Sequence, residues 1–160
     1  MTIGKGTKQS TSQEWWTPDP LYNNLCRQFD IHPQLDAAAN SKNTKCQYYL
    51  NDALNQEWVL GDREPEIVDV WWNPPGNKVQ PFVNRAMDQW LKYNMNQLGL
   101  IPVNTITNVN FESIWKLHNN QGNPLIYPLF GIRPKFLLEG KVQKFGSRNG
   151  FIVLVFRKRQ

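Results

Sequence analysis

The chain has 160 residues, 40% of them hydrophobic and 12% aromatic with seven Trp, and a net charge of +5; its isoelectric point is about 9.3. That length supports one domain with a real core, and the aromatic content excludes a disordered chain. No apolar run approaches the roughly 20 residues needed to cross a bilayer, so no membrane partner is expected.

Cys26 and Cys46 lack the spacing of a zinc site or a disulfide framework, so free thiols in a reducing compartment, and no metal, are expected. Met1 to Ser12 is polar and rich in Gly, Lys, Ser and Thr. It has no apolar segment and reads as a mobile tail rather than a signal or anchor. The expected organisation is a tail over 1–13 and a single domain over 14–160.

Glu14-Trp15-Trp16-Thr17-Pro18 opens the folded part. Thr17 before Pro18 predicts an N-cap with proline at the first helical position. Leu21, Tyr22, Leu25, Cys26 and Phe29 then fall at helical spacing. Trp15 and Trp16 read either as core packing or as an aromatic wall for a flat ligand. A short strand is predicted within Ile31 to Ala39, ending at Asp36. The small Ala37 and Ala38 behind it let a ligand approach the backbone, and the Asp36 carboxylate could hold an ammonium or a ribose hydroxyl. Lys45 to Leu50 predicts another strand. Asp52 follows it, as a helix N-cap or an acceptor for a cofactor amine.

Val68 to Trp72 is β-prone and apolar, and it stops at Asn73-Pro74-Pro75-Gly76. Neither proline can donate to a ladder, so the strand must end there. Asn73 is thereby left at a strand's carboxyl end, where open α/β sheets bind ligands. An exocyclic base amine is a poor nucleophile because its lone pair is delocalised. The Asn73 side-chain oxygen and the Pro74 carbonyl could accept its two N–H groups and aim the lone pair at a methyl donor, which is stabilisation where charge develops. The alternative is an ordinary strand-ending turn.

A loop at Gly76-Asn77-Lys78 leads to a helix from about 79 or 81 to 95, then a buried strand over 98–103. A short helix over 111–118, with Asn110 as N-cap, precedes strands at 125–130, 135–138 and 151–157. The alternation predicts an α/β fold, with a mostly parallel central sheet, flanking helices and an antiparallel edge. Basic residues gather late, at Arg133, Lys135, Lys141, Lys144, Arg148, Arg157, Lys158 and Arg159. They predict a polyanion partner or, more simply, a solvated basic face.

These stretches together resemble the compact phage-type DNA N6-adenine methyltransferases. Trp15 to Pro18 looks like the family's W-x-TP opening, and Leu35-Asp36-Ala37-Ala38 like its D-x-A-A stretch. Tyr48-Tyr49 through Asp52, Leu54 and Trp58 is similar to its YY…D-x-L…W segment. Val70 to Pro75 looks like the strand into its catalytic [D/N]PP[Y/F/W] motif. The resemblance implies a Rossmann-like class I methyltransferase that moves a methyl group from S-adenosylmethionine to a flipped-out adenine in DNA.

Carried over, it implies Asn73, Pro74 and Pro75 as catalytic, and Trp15, Thr17, Pro18, Asp36, Ala37, Ala38 and Asp52 as cofactor-binding. Gly76, Asn77, Lys78, Arg133, Lys135, Lys141, Lys144 and Arg148 are expected on DNA, with phosphate contacts that position the duplex. A cytoplasmic enzyme is expected (the host cytoplasm if a virus or mobile element encodes it); its oligomeric state, monomer or weak dimer, is not given by the sequence. The chain departs from the family at Gly76, where the motif has an aromatic that stacks on the base. The alternatives are therefore a weakened or inactive DNA-binding module, or an amino-methyltransferase acting on cytosine N4 or RNA.

Overall fold

A computed structural model describes residues 15–143, 146–147 and 150–160. Its centre is a six-stranded sheet built from β2 (Leu35–Asp36), β3 (Tyr48–Tyr49), β4 (Val70–Trp72), β5 (Gln97–Pro102), β6 (Leu125–Pro128) and β8 (Phe151–Phe156). The strand order is β3-β2-β4-β5-β8-β6. The first four run parallel, and β8 is antiparallel to both of its neighbours. A separate ribbon pairs β1 (Trp15–Trp16) with β7 (Leu137–Leu138).

Helices cover both faces. Leu25 and Phe29 of α1 (Asp19–Phe29) pack with Trp71, Leu98, Leu100, Val153 and Val155. Phe82, Val83, Ala86 and Trp90 of α2 (Val79–Tyr93) and Ile114 of α3 (Glu112–Gln121) pack with Val70, Trp72, Ile101 and Leu154 on the other face. Alternate residues of β4, β5 and β8 thus enter two cores, which is why these strands read as continuous apolar runs.

Several boundaries differ from expectation. The antiparallel strand β8 is not at the edge. Five of its six residues are buried, whereas β6, exposed at Leu125 and only partly buried beyond it, is the edge strand. A strand buried on both faces needs neighbours on both sides, and Pro128 is tolerated where one side is open. The strand expected over 135–138 leaves the main sheet and pairs with Trp15–Trp16. Helix α1 begins one residue late, with Pro18 at its N-cap and no side-chain cap bond. Asn108, not Asn110, accepts a backbone N–H before α3, from Asn110 itself. Among the described residues, no helix is long and apolar enough to cross a membrane.

Candidate active site

The chain enters the sheet at β2, moves outward to β3, then returns to β4 on the other side of β2. Strand order therefore reverses between β2 and β4, and in open α/β sheets the ligand crevice lies outside the carboxyl ends of the strands at such a point. Asp36 closes β2 opposite Trp71 of β4, and Asn73 stands two residues further on. The Ala37 N–H donates to the Trp71 carbonyl at 2.9 Å, so the D-x-A-A and N-P-P segments leave the sheet side by side.

Asn73 is half-buried and Pro74 buried. The Asn73 Nδ2 donates to Thr17 Oγ1 at 2.7 Å. Among the described residues, no donor engages Asn73 Oδ1 or the Pro74 carbonyl. Two adjacent acceptors with free lone pairs fit a group that brings two N–H donors. Pro75 caps a single 3-10 turn, Gly76–Lys78, whose Lys78 N–H returns to the Pro75 carbonyl at 2.9 Å. Gly76, Asn77 and Lys78 are all exposed. A Cβ on Gly76 would meet no atom within 4 Å, so the position of the motif aromatic opens onto free space. Trp72 does not replace it. Its ring is fully buried, its Nε1 donates to Gln97 Oε1 at 3.0 Å, and it lies on Gly99.

Asp36 is 2% exposed. Its carboxylate accepts from Ala38 N at 3.1 Å and Lys45 N at 2.9 Å, which ties the loop after β2 into place. Burial pushes its pKa up to about 6, and these backbone bonds and the Lys45 charge oppose the shift only in part. A carboxylate has about four lone-pair sites, and one held this high gains from a cation placed beside it. Buried Ala37 and half-buried Ala38 leave the adjoining backbone without bulk. This donor set suits a ligand carrying an ammonium or sulfonium charge.

The remaining predicted residues are more dispersed. Trp15 pairs with Leu138 through the backbone, and Pro18 is the N-cap of α1. Asp52 is exposed and accepts from Asn55 Nδ2 at 3.0 Å; no helix follows, so it forms a turn rather than an N-cap. Arg133, Lys135 and Lys141 are exposed. Arg133 reaches the crevice end of β5: a Cβ on Gly150 would lie 3.2 Å from its Nη1 and 3.6 Å from Val103 Cγ1. Lys144 and Arg148 lie outside the described residues.

Lys45 was not singled out from the sequence. Its backbone holds Asp36 and its Nζ pairs with Asp19 at 2.6 Å; no local pattern marks it. The link from Thr17 to Asn73 was also missed, because spacing carries no signal across 56 residues.

Cys26 and Cys46 are free thiols. Burial raises both, Cys46 to about 12, beside the Tyr22 hydroxyl. Neither is a thiolate at neutral pH, so neither suits a nucleophilic role. A cleft of about 570 Å³ lies outside β3, between Tyr48, Tyr49, Gly61 and Asp62. None of its walls comes from Thr17, Asp36 or Asn73, so it is separate from the candidate site.

Comparison with known proteins gives the family. The family model described as DNA N-6-adenine-methyltransferase (Dam) matches residues 4–127, which contain Thr17, Asp36 and Asn73. A DNA N-6-adenine-methyltransferase of Haemophilus phage HP1 (strain HP1c1) is 29% identical over 107 residues, covering 67% of this chain. That match spans 60% of the phage protein's own length. With the family match running over more than three quarters of its length, this chain belongs to the DNA N-6-adenine-methyltransferase (Dam) family.

Proposed function

We propose that the chain is an S-adenosylmethionine-dependent DNA adenine-N6 methyltransferase, with a Rossmann-like class I fold as one catalytic domain over 14–160. The observation that carries this reading is the β2/β4 reversal, where Asn73 Oδ1 and the Pro74 carbonyl have no donor among the described residues and Asp36 is buried. S-adenosylmethionine, when bound, supplies an electrophilic methyl group. Asp36, Ala37 and Ala38 hold its charged portion, with Trp15, Pro18 and Asp52 toward its remainder. Asn73 and Pro74 accept the two N–H groups of the target amine and turn its lone pair toward the methyl. They act where positive charge develops on the nitrogen, in a site walled by Pro74 and Pro75. Gly76, Asn77 and Lys78 border the target base. Arg133, Lys135, Lys141, Lys144 and Arg148 lie along phosphates, which sets the register of the duplex. In a phage-infected cell such an enzyme works in the host cytoplasm.

The test is transfer of labelled methyl from S-adenosylmethionine to unmethylated plasmid DNA, with nucleoside products identified by mass. N6-methyladenine is expected from the wild type. Asn73→Ala is expected to lower kcat by about 100- to 1000-fold, as when one electrostatic contact to a transition state is removed. N4-methylcytosine would correct the substrate. DNA binding without any transfer would favour the inactive module, for which the bare Gly76 is the supporting observation.

A further inference from the structure

The carboxamide torsion of asparagine is broad and roughly two-fold, so an unanchored Asn exchanges its oxygen and nitrogen ends at little cost. With the nitrogen end forward, Asn73 would present donors to an amine that is itself a donor. Thr17 anchors the side chain: a hydroxyl can accept or donate, and in the structure the nitrogen end of the carboxamide is the one turned to it. Its Oγ1 accepts from Asn73 Nδ2 at 2.7 Å, and the residue is 4% exposed.

Thr17 is itself held from both sides. Trp16 before it pairs with Leu137, and Pro18 after it is the N-cap of α1, where the Pro18 carbonyl accepts from Tyr22 N at 3.1 Å. Its hydroxyl is not used to cap that helix, although the sequence places it as a cap. A threonine at a helix start that forgoes its cap bond in order to meet a half-buried amide is committed to the amide.

We infer that Thr17 is a positioning residue for methyl transfer, anchoring the Asn73 carboxamide at the end of β4, with Nδ2 on Thr17 Oγ1 and Oδ1 left for the target amine. This rests on Asn73 being the acceptor in the reaction proposed above. The family resemblance places Thr17 on the cofactor side; the hydrogen bond assigns its hydroxyl to Asn73 instead.

The experiment compares Thr17→Val, Thr17→Ser and Asn73→Ala with the wild type. Thr17→Val is expected to lower kcat by about 10- to 100-fold, the scale of a misplaced reacting group, with the KM for S-adenosylmethionine unchanged. Thr17→Ser keeps the hydroxyl and is expected to retain most of the activity. Loss of activity in Asn73→Ala with wild-type kcat in Thr17→Val sinks the Thr17 inference alone. Full activity in Asn73→Ala sinks the reading of Asn73 itself. A raised KM for the methyl donor at unchanged kcat would make Thr17 a cofactor-lining residue and overturn the inference, as would equal losses in the Val and Ser variants. The wild-type protein gives a readout independent of any variant's folding. One Asn73 side-chain amide proton is expected to exchange slowly with solvent by NMR, and two fast-exchanging protons would overturn the proposal.

Discussion

The two ends of the sheet use the same residue types in opposite ways. At the start of β5, Gln97 is fully buried, donates to the Ala86 carbonyl and accepts from Trp72 Nε1. Asn96 joins Asp69 to the Lys158 backbone, and Asn94 exchanges hydrogen bonds with Arg159. The Arg159 guanidinium lies 4.7 Å from the Trp90 ring centroid and donates to the Trp90 and Leu91 carbonyls at the end of α2. At the other end, Asn73 Oδ1 and the Pro74 carbonyl have no partner among the described residues, and Arg133 and Lys135 are exposed. An amide or guanidinium whose hydrogen bonds are all made inside the protein fastens the fold, whereas one with free valence is available to a ligand. The comparison also divides the late basic residues. Because β8 runs antiparallel, its start at Phe151 meets the crevice end of β5, and its close at Phe156 meets Gln97. Arg157, Lys158 and Arg159 therefore lie at the end away from Asn73.

The fastened end is broken most severely by Gly99→Ala. A Cβ there would stand 2.3 Å from the Trp72 ring, which is hemmed in by Trp58 and Gln97. Overpacking of this kind costs about 3 kcal/mol, and the expected readout is a lower urea midpoint.

At the crevice end, Asp36 predicts a pH dependence. Its folded-state pKa of about 6 is above its ordinary 3.8, so the folded protein holds the proton more tightly than the unfolded chain. The resulting stabilisation is complete below about pH 4 and is lost as pH rises through about 6, up to roughly 3 kcal/mol. Asp36→Asn removes this slope. Denaturant unfolding at the two ends of that window is expected to show wild type losing its advantage over the variant as pH rises, and a constant difference would refute the argument.

Gly76→Phe sharpens the open side of the comparison. The backbone there is outside the left-handed region and the space above it is empty, so the ring carries no strain. Restored stacking is expected to tighten binding to DNA with a mismatched, easily flipped target base by about 1–3 kcal/mol. Unchanged affinity would show that the base does not pass over this residue.

The smallest effects separate the two arginines. Arg133→Ala is expected to weaken DNA binding and reduce the salt slope by about 1 without changing stability. Arg159→Ala is expected to cost about 1 kcal/mol of stability and to leave the salt slope as it was.

Much of the candidate site's placement was legible because its signals are local. The prolines after Trp72 force a strand end, so Asn73 had to stand at a carboxyl edge whatever the rest of the fold. Helix α2 was legible from the spacing of Phe82, Val83, Ala86 and Trp90, all of them buried. The cap at Thr17 misled because the hydroxyl had a choice between a backbone N–H nearby and an amide far along the chain, and only packing decides between them. Gly99 carried no local sign of its role. Its lack of a side chain matters only because the Trp72 ring comes to rest on it.

The sequence by itself determined where the chain turns, which residues are apolar on which face, and that Asn-Pro-Pro closes a buried strand. These depend on backbone geometry and propensity within a few residues. Only the tertiary structure decided that β2 and β4 are neighbours, that β8 runs inside the sheet, that Thr17 meets Asn73 and that Arg159 fastens a helix end. Those contacts join residues far apart in the chain, and they are specified by the register of a completed sheet and the packing of two cores, which no short window of sequence contains.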